Sequence, residues 1–270
     1  MTARLRVGRI SALNMYPLYH HLERAAGPGM VFTDGLPAAL NAAVLDGRLD
    51  VSAMSSIEFA RNSDRLRLLP VASIAAAGAV DSIQLFSRVP FREVRSVAVT
   101  PHSATSVTLL RVLLGPHVPF RPLTAAPEDA LRDVDGVLLI ADEALAALRR
   151  GISPHATDLA GEWRDRTGLP MVFGVWAARR DAPPATRGAL DALTGLLAEA
   201  KARFAADPEE VVAAAAARFP FPAGEIRRYF RRLRYGFGDE ERAGLARFLE
   251  HARRAGELAL VPALPAERAA

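Results

Sequence analysis

The chain of 270 residues contains no cysteine, which excludes disulfides, thiolate metal sites and thiol nucleophiles. Lysine is nearly absent too: Lys201 stands alone, and every other cationic side chain is an arginine. No apolar run approaches the roughly 20 residues that a membrane-spanning helix needs. The opening Met-Thr-Ala-Arg-Leu-Arg-Val-Gly lacks the charged-then-apolar-then-small pattern of a secretory signal. The expectation is a cytoplasmic protein with no membrane association. Phosphate loop, dinucleotide glycine fingerprint and nucleophile elbow are all missing from the sequence.

What the chain does have is apolar mass. Hydrophobic residues make up 50%, enough for a substantial core in one large domain or two modest lobes. The formal net charge is +4. The arginine-for-lysine skew, beside abundant alanine, reads as genomic base composition, so no nucleic-acid partner is expected. The arginine-rich stretch Arg227-Arg228-Tyr229-Phe230-Arg231-Arg232 has the period of an amphipathic helix with a solvated basic face. A modest positive balance suits a small anion.

The pattern of elements starts with a strand over Arg4 to Ile10, broken by Ser11 to Pro17. A helix follows from Pro37 to Gly47, then a strand over Leu49 to Met54, a helix from Ser55 and a strand over Ile83 to Ser87. The pattern restarts near 93, with strands over Val94 to Val99, Val137 to Ile140 and Leu169 to Ala178, and helices from Ser103 and Asp142. Four helical patterns close the chain, about 185–205, 207–218, 223–234 and 239–256. The economical arrangement is α/β, with two parallel-sheet lobes. Residues 1–92 and 181–270 form a discontinuous lobe carrying the C-terminal helices, and 93–180 form an inserted one. The crossings, and with them the hinge, are expected near 88–93 and 178–183.

Four polar clusters fall at the carboxyl ends of predicted strands, the edge where open parallel sheets bind ligands. In Ser11 to Pro17, the Asn14 amide can both donate and accept, although a turn asparagine more often satisfies its own backbone. Ser55-Ser56-Ile57-Glu58 has the form of a capping box, which explains Glu58, while Ser55 and Ser56 suit either a helix cap or an anion site. Ser103-Ala104-Thr105-Ser106 puts three hydroxyls within four residues of a helix start, more than capping needs; Ser103, Thr105 and Ser106 are candidate anion ligands. Asp142 is expected to be an N-cap with at most a secondary role at the substrate. No metal ligand set is expected, because His20 and His21 are neighbours rather than i, i+4 partners.

Several strings carry a resemblance. They are Arg6 to Asn14, Gly35-Leu36-Pro37-Ala38-Ala39-Leu40-Asn41, Asp50 to Asn62, Gly78 to Arg88, Ser103-Ala104-Thr105-Ser106-Val107, Ile140 to Leu145 and the Leu169 to Trp176 strand. Together, in this order and through nearly the whole chain, they resemble the menaquinone-biosynthesis chorismate dehydratases of the futalosine route. The resemblance implies a two-lobed type II periplasmic-binding-protein fold, no metal or organic cofactor, and conversion of chorismate to 3-[(1-carboxyvinyl)oxy]benzoate plus water. It associates Asn14 and Ser82 with the active site. The loop departs from the family's Asn-Tyr-Leu-Asn form and keeps the second asparagine, Asn14.

The implied chemistry is consistent with the polar clusters. Chorismate is a dicarboxylate, matching anion cradles on two lobes, and loss of water aromatises its ring. Such a reaction chiefly needs orientation and charge stabilisation. With no obvious protein base in the motifs, the substrate's enolpyruvyl carboxylate is expected to take the proton, Asn14 to hold that group, and Ser82 to assist the departing hydroxyl. The rival readings are the sister enzyme of the same route, acting on cyclic dehypoxanthine futalosine, a small-anion solute-binding protein, and the effector lobes of a transcription regulator. No signal, lipid-anchor cysteine or DNA-binding segment favours the last two. The sequence leaves the oligomeric state open.

Overall fold

The computed structural model describes residues 4–265. The chain enters on β1 (Leu5–Ile10), then takes a 3-10 turn, Leu13–Met15, into α1 (Tyr16–Ala25). Pro17 sits in the first turn of α1, where its missing N–H has no helical partner to lose. β2 (Met30–Gly35), α2 (Pro37–Leu45), β3 (Val51–Ser55), α3 (Ser56–Arg61) and β4 (Leu66–Ala76) complete a first run. Gly47, at φ +76°, lets the chain turn sharply between α2 and β3. All of β3 is buried, as a strand covered on both faces requires.

A second run holds β5 (Ile83–Ser87), β6 (Val97–Val99), α4 (Ala104–Leu114), β7 (Phe120–Pro122), α5 (Pro127–Ala130), β8 (Gly136–Ile140), α6 (Ala141–Arg150), β9 (His155–Asp158) and α7 (Leu159–Thr167). Asp158 starts α7 by accepting from the N–H groups of Ala160 and Gly161. The chain then returns on β10 (Met171–Arg179) and ends in α8 (Arg187–Ala206), α9 (Pro208–Ala216), α10 (Ala223–Phe230), the two-residue β11 (Leu233–Arg234) and α11 (Asp239–Arg254).

Two sheets result, ordered β11-β4-β10-β3-β1-β2 and β7-β6-β8-β5-β9. They share one plan. β1, β2 and β3 run parallel, as do β6, β7 and β8, and one antiparallel strand separates the third from the fourth in each: β10 between β3 and β4, and β5 between β8 and β9. The expectation of wholly parallel sheets is corrected at these two strands and at the edge strand β11, which pairs antiparallel with β4.

The expected boundaries move for the same reason. β5 read as the last strand of the lobe it leaves and β10 likewise, but each is hydrogen-bonded into the sheet it enters. The chain therefore crosses between sheets at 77–82 and 168–170, not at 88–93 and 178–183. A continuous apolar run specifies a buried strand without saying which sheet buries it.

One continuous core joins the lobes. It runs from Leu5, Val51 and Trp176 in the first sheet to Val97 and Leu138 in the second and Leu109 of α4. A smaller cluster, with Phe86, Val137, Leu139 and Ala144, lies elsewhere in the second lobe. α4 and α7 pack against β10, and α11 packs against both α4 and β10. Trp163 of α7 stands edge-on to Phe248 of α11 with ring centroids 6.1 Å apart, and donates its indole N–H to Pro170 O at 3.3 Å.

Candidate active site between the lobes

Opposite this packed seam the lobes part around a cleft of about 550 Å³. Its walls are the carboxyl ends of β1, β3, β6 and β8 and the helices that follow. α2 presents Leu36 and Pro37, α3 Ser55, α4 Ser103 and Ser106, and α6 Ala141, Asp142 and Glu143. Four helix N-termini thus border one cleft, and each carries partial positive charge from its aligned peptides. Ile10, Met54, Ile74, Ile83, Ile140 and Phe173 supply an apolar floor. Such a space suits a ring flanked by anionic groups.

Asn14 lines the cleft from the turn after β1. Tyr235 donates its hydroxyl to Asn14 O at 2.8 Å, and the turn around Asn14 is closed by Met15 N donating to Ala12 O at 3.0 Å. Its Oδ1, by contrast, is buried with no hydrogen-bond partner among the described residues. An unsatisfied buried acceptor is expensive, and a ligand donor would relieve it.

Of the serine and threonine candidates, the structure brings some to the cleft and not others. Ser55, Ser103 and Ser106 line it. Ser55 is the N-cap of α3 by position, but its side chain makes no capping bond, so the hydroxyl is uncommitted. Ser103 does cap α4, accepting from Ser106 N at 3.2 Å and donating to Ser106 Oγ at 2.9 Å. Ser56 and Thr105 lie outside the cleft walls. Ser56 donates to Val172 O at 2.8 Å and meets Thr105 Oγ1 at 3.3 Å, while Thr105 also accepts from Ile57 N. They bond one lobe to the other. The geometry is simple: the next residue along a helix turns about 100° from its predecessor, so Ser56 and Thr105 face the seam.

Ser82 is also outside the cleft walls. It ends the first crossing, buried, with its carbonyl accepting from Ala141 N at 2.7 Å. Its hydroxyl lies near that of Tyr229, which is buried without a hydrogen-bond partner among the described residues. Burial pushes the Tyr229 hydroxyl well up, against the opposing influence of Ser82. Glu58 is excluded as well: it pairs with Arg61 at 2.7 Å, and no capping box forms with Ser55.

The residue underrated in sequence is Asp142. It is not the N-cap of α6, a place taken by Ile140; it follows Ala141, whose φ of +51° is unusual for a side chain with a Cβ. That twist turns Asp142 to the cleft, where its Oδ1 accepts from Leu13 N of the other lobe at 3.1 Å. Burial raises its pKa, opposed by that one N–H. Asp34, an exposed acid on the facing wall, is different: hydrogen bonds from Arg9 and Ser11 hold it below the usual carboxylate range.

Two such sheets with a cleft between them define a two-lobed ligand-binding α/β protein of the periplasmic-binding-protein type. Solved structures share the fold. Protein AF1704 from Archaeoglobus fulgidus is similar with a TM-score of 0.73 at 17% identity, over 94% of this chain and 98% of that one. The alkanesulfonate-binding protein SsuA from Xanthomonas axonopodis pv. citri, solved with MOPS, gives 0.70 at 18% identity, over 95% and 94%. Within that class the chain belongs to the menaquinone biosynthesis family, whose model matches residues 5–254. It is 35% identical to the chorismate dehydratase of Thermus thermophilus over 88% of this chain and 91% of that protein. It is 29% identical to the 1,4-dihydroxy-6-naphtoate synthase of the same organism over 64% of this chain and 63% of that protein.

Proposed function

We propose that this protein is a chorismate dehydratase, a hydro-lyase that converts chorismate to 3-[(1-carboxyvinyl)oxy]benzoate and water in menaquinone biosynthesis. The observation that carries the reading is the likeness to a curated chorismate dehydratase along 88% of the chain. The cleft supports it with an apolar floor for the ring and helix N-termini for two carboxylates. Among the described residues no helix is long and apolar enough to cross a membrane, and a cytoplasmic setting fits a biosynthetic enzyme.

The reaction removes a proton from the ring carbon bearing the enolpyruvyl ether and hydroxide from its neighbour. The new double bond makes the ring aromatic, and the ring carboxylate, conjugated with the carbon losing its proton, spreads the developing charge. Asn14 holds the enolpyruvyl carboxylate over that proton through its amide N–H, and the carboxylate takes it. The Asn14 Oδ1 accepts from a ligand donor. Asp142 acts as the acid that protonates the departing hydroxyl, so that water leaves. The proton held on the enolpyruvyl group then restores Asp142 through solvent. A dianionic ligand nearby raises the Asp142 pKa further, which favours the protonated form this role needs. Ser82 supports it from behind, its carbonyl fixing the backbone of Ala141. Ser55 and Ser106 supply hydrogen bonds to the ring carboxylate, and Ser103, donating to Ser106 Oγ, orients the Ser106 hydroxyl.

Incubation with chorismate, followed by ultraviolet absorbance and mass analysis, tests the reading. Appearance of the enolpyruvyl benzoate is expected. No product from chorismate, but turnover of cyclic dehypoxanthine futalosine, would transfer the protein to the sister reaction.

A further inference from the structure

Away from the cleft, α1 and α9 pack side by side, and metal-ligating side chains converge where they meet. His20 and His21 are consecutive on α1, with ring centroids 4.9 Å apart and the planes at 83°. Glu210, in the first turn of α9, brings its Oε1 to 2.9 Å from His20 Nε2. One donor atom from each of the three lies within 4.8 Å of the others. The spacing of two adjacent histidines argues against a metal pair, but the third group comes from a distant part of the chain.

An ordinary ion pair accounts for His20 and Glu210. It does not account for His21. That residue is 7% exposed, and its Nε2 is buried without a hydrogen-bond partner. A bare imidazole nitrogen in such a place is unfavourable unless something accepts its lone pair or its proton.

We propose that His20, His21 and Glu210 form a binding site for a divalent transition-metal ion of the zinc class. Two imidazoles and one carboxylate suit zinc or cobalt better than magnesium or calcium, which prefer oxygen throughout. A separation of 2.9 Å between His20 Nε2 and Glu210 Oε1 subtends about 90° at an ion with bonds of about 2.0–2.1 Å. Arg24 donates to the same Oε1 at 2.7 Å from an exposed position, so it competes with the ion for Glu210. The site would fasten α1, which begins two residues beyond Asn14, to α9. It takes no part in the dehydration.

The test is a cobalt(II) titration of full-length, chelator-treated protein, read by the visible absorption of the coordinated ion. One equivalent should bind. His21→Gln and Glu210→Gln should each weaken binding at least tenfold, while Arg24→Ala should tighten it by removing the competing cation. Zinc at a hundredfold excess over its dissociation constant should raise Tm by about 5 °C. Glu210 is exposed enough that its glutamine variant should fold normally, which keeps the test decisive if the buried histidine variant does not. No cobalt absorption, or a spectrum unchanged in the Glu210→Gln protein, would overturn the proposal. Chorismate turnover by chelator-treated protein should be unaffected, so failure here is separable from failure of the dehydratase reading.

Discussion

Asn14 is fixed by its backbone before any ligand arrives, while its side-chain oxygen is left wanting a partner. That division predicts a kinetic signature. Asn14→Ala should lower kcat by about 10²–10⁴, the range for misplacing a proton-transfer group, with a much smaller change in substrate Kd. Single-turnover measurement at saturating chorismate checks it, and a variant with normal turnover would remove Asn14 from the chemistry. Asp142 predicts a dependence on pH. Its raised pKa favours the acid form, and an acid catalyst is active only when protonated. Turnover should therefore fall as pH rises through the Asp142 pKa in the complex. Asp142→Asn should lose that alkaline limb and most of its rate. A mutant keeping the same pH limb would assign it to another group.

At the level of elements, the hydroxyl clusters divide into those facing ligand and those facing the other lobe. Ser55→Ala should weaken substrate binding by about 1.5–3 kcal/mol, the scale for a hydrogen bond to a charged group, and leave Tm nearly unchanged. Thr105→Val, of similar shape, should do the reverse: it deletes contacts to Ser56 and Ile57 N at the seam and lowers stability by about 1 kcal/mol. Calorimetry and thermal melts on both variants separate the roles. Gly244, inside α11, makes a third case. A Cβ there would run into the Pro170 carbonyl oxygen at the head of β10. Gly244→Ala should cost about 1–3 kcal/mol, although alanine is the better helix former. A raised Tm would show that α11 can slide.

These elements also show what sequence can carry. Asn14, Ser55, Ser103 and Ser106 were legible because each follows a parallel strand closely, and that loop edge is where such sheets open. Whether the next hydroxyl along faces ligand or seam depends on helix phase, which Ser56 and Thr105 illustrate. Asp142 was hidden by its ordinary look as a helix-start acid; only the positive φ of Ala141 turns it inward. β4 was not legible because Pro70 interrupts it. The ladder with β10 skips there, Val175 pairing with Ser73 and Trp176 with Leu69, so Pro70 occupies the irregular stretch where its missing N–H is tolerated.

On the scale of the whole molecule, two sheets do not make two independent bodies. The continuous core through β10, α4, α7 and α11 predicts a single cooperative unfolding transition, with calorimetric and van't Hoff enthalpies equal. Two resolved transitions would mean that the seam is weaker than its packing indicates. The order of the first sheet has a consequence for synthesis. β10 lies between β3 and β4, yet it leaves the ribosome about a hundred residues after β4. At about 5–20 residues per second, β3 and β4 wait roughly 5–20 s for the strand that separates them. During that interval two apolar strand edges are open to mispairing with each other or with a neighbouring nascent chain. The second sheet, whose five strands are contiguous in sequence, has no such delay. It can assemble first and offer the waiting half a surface to dock on.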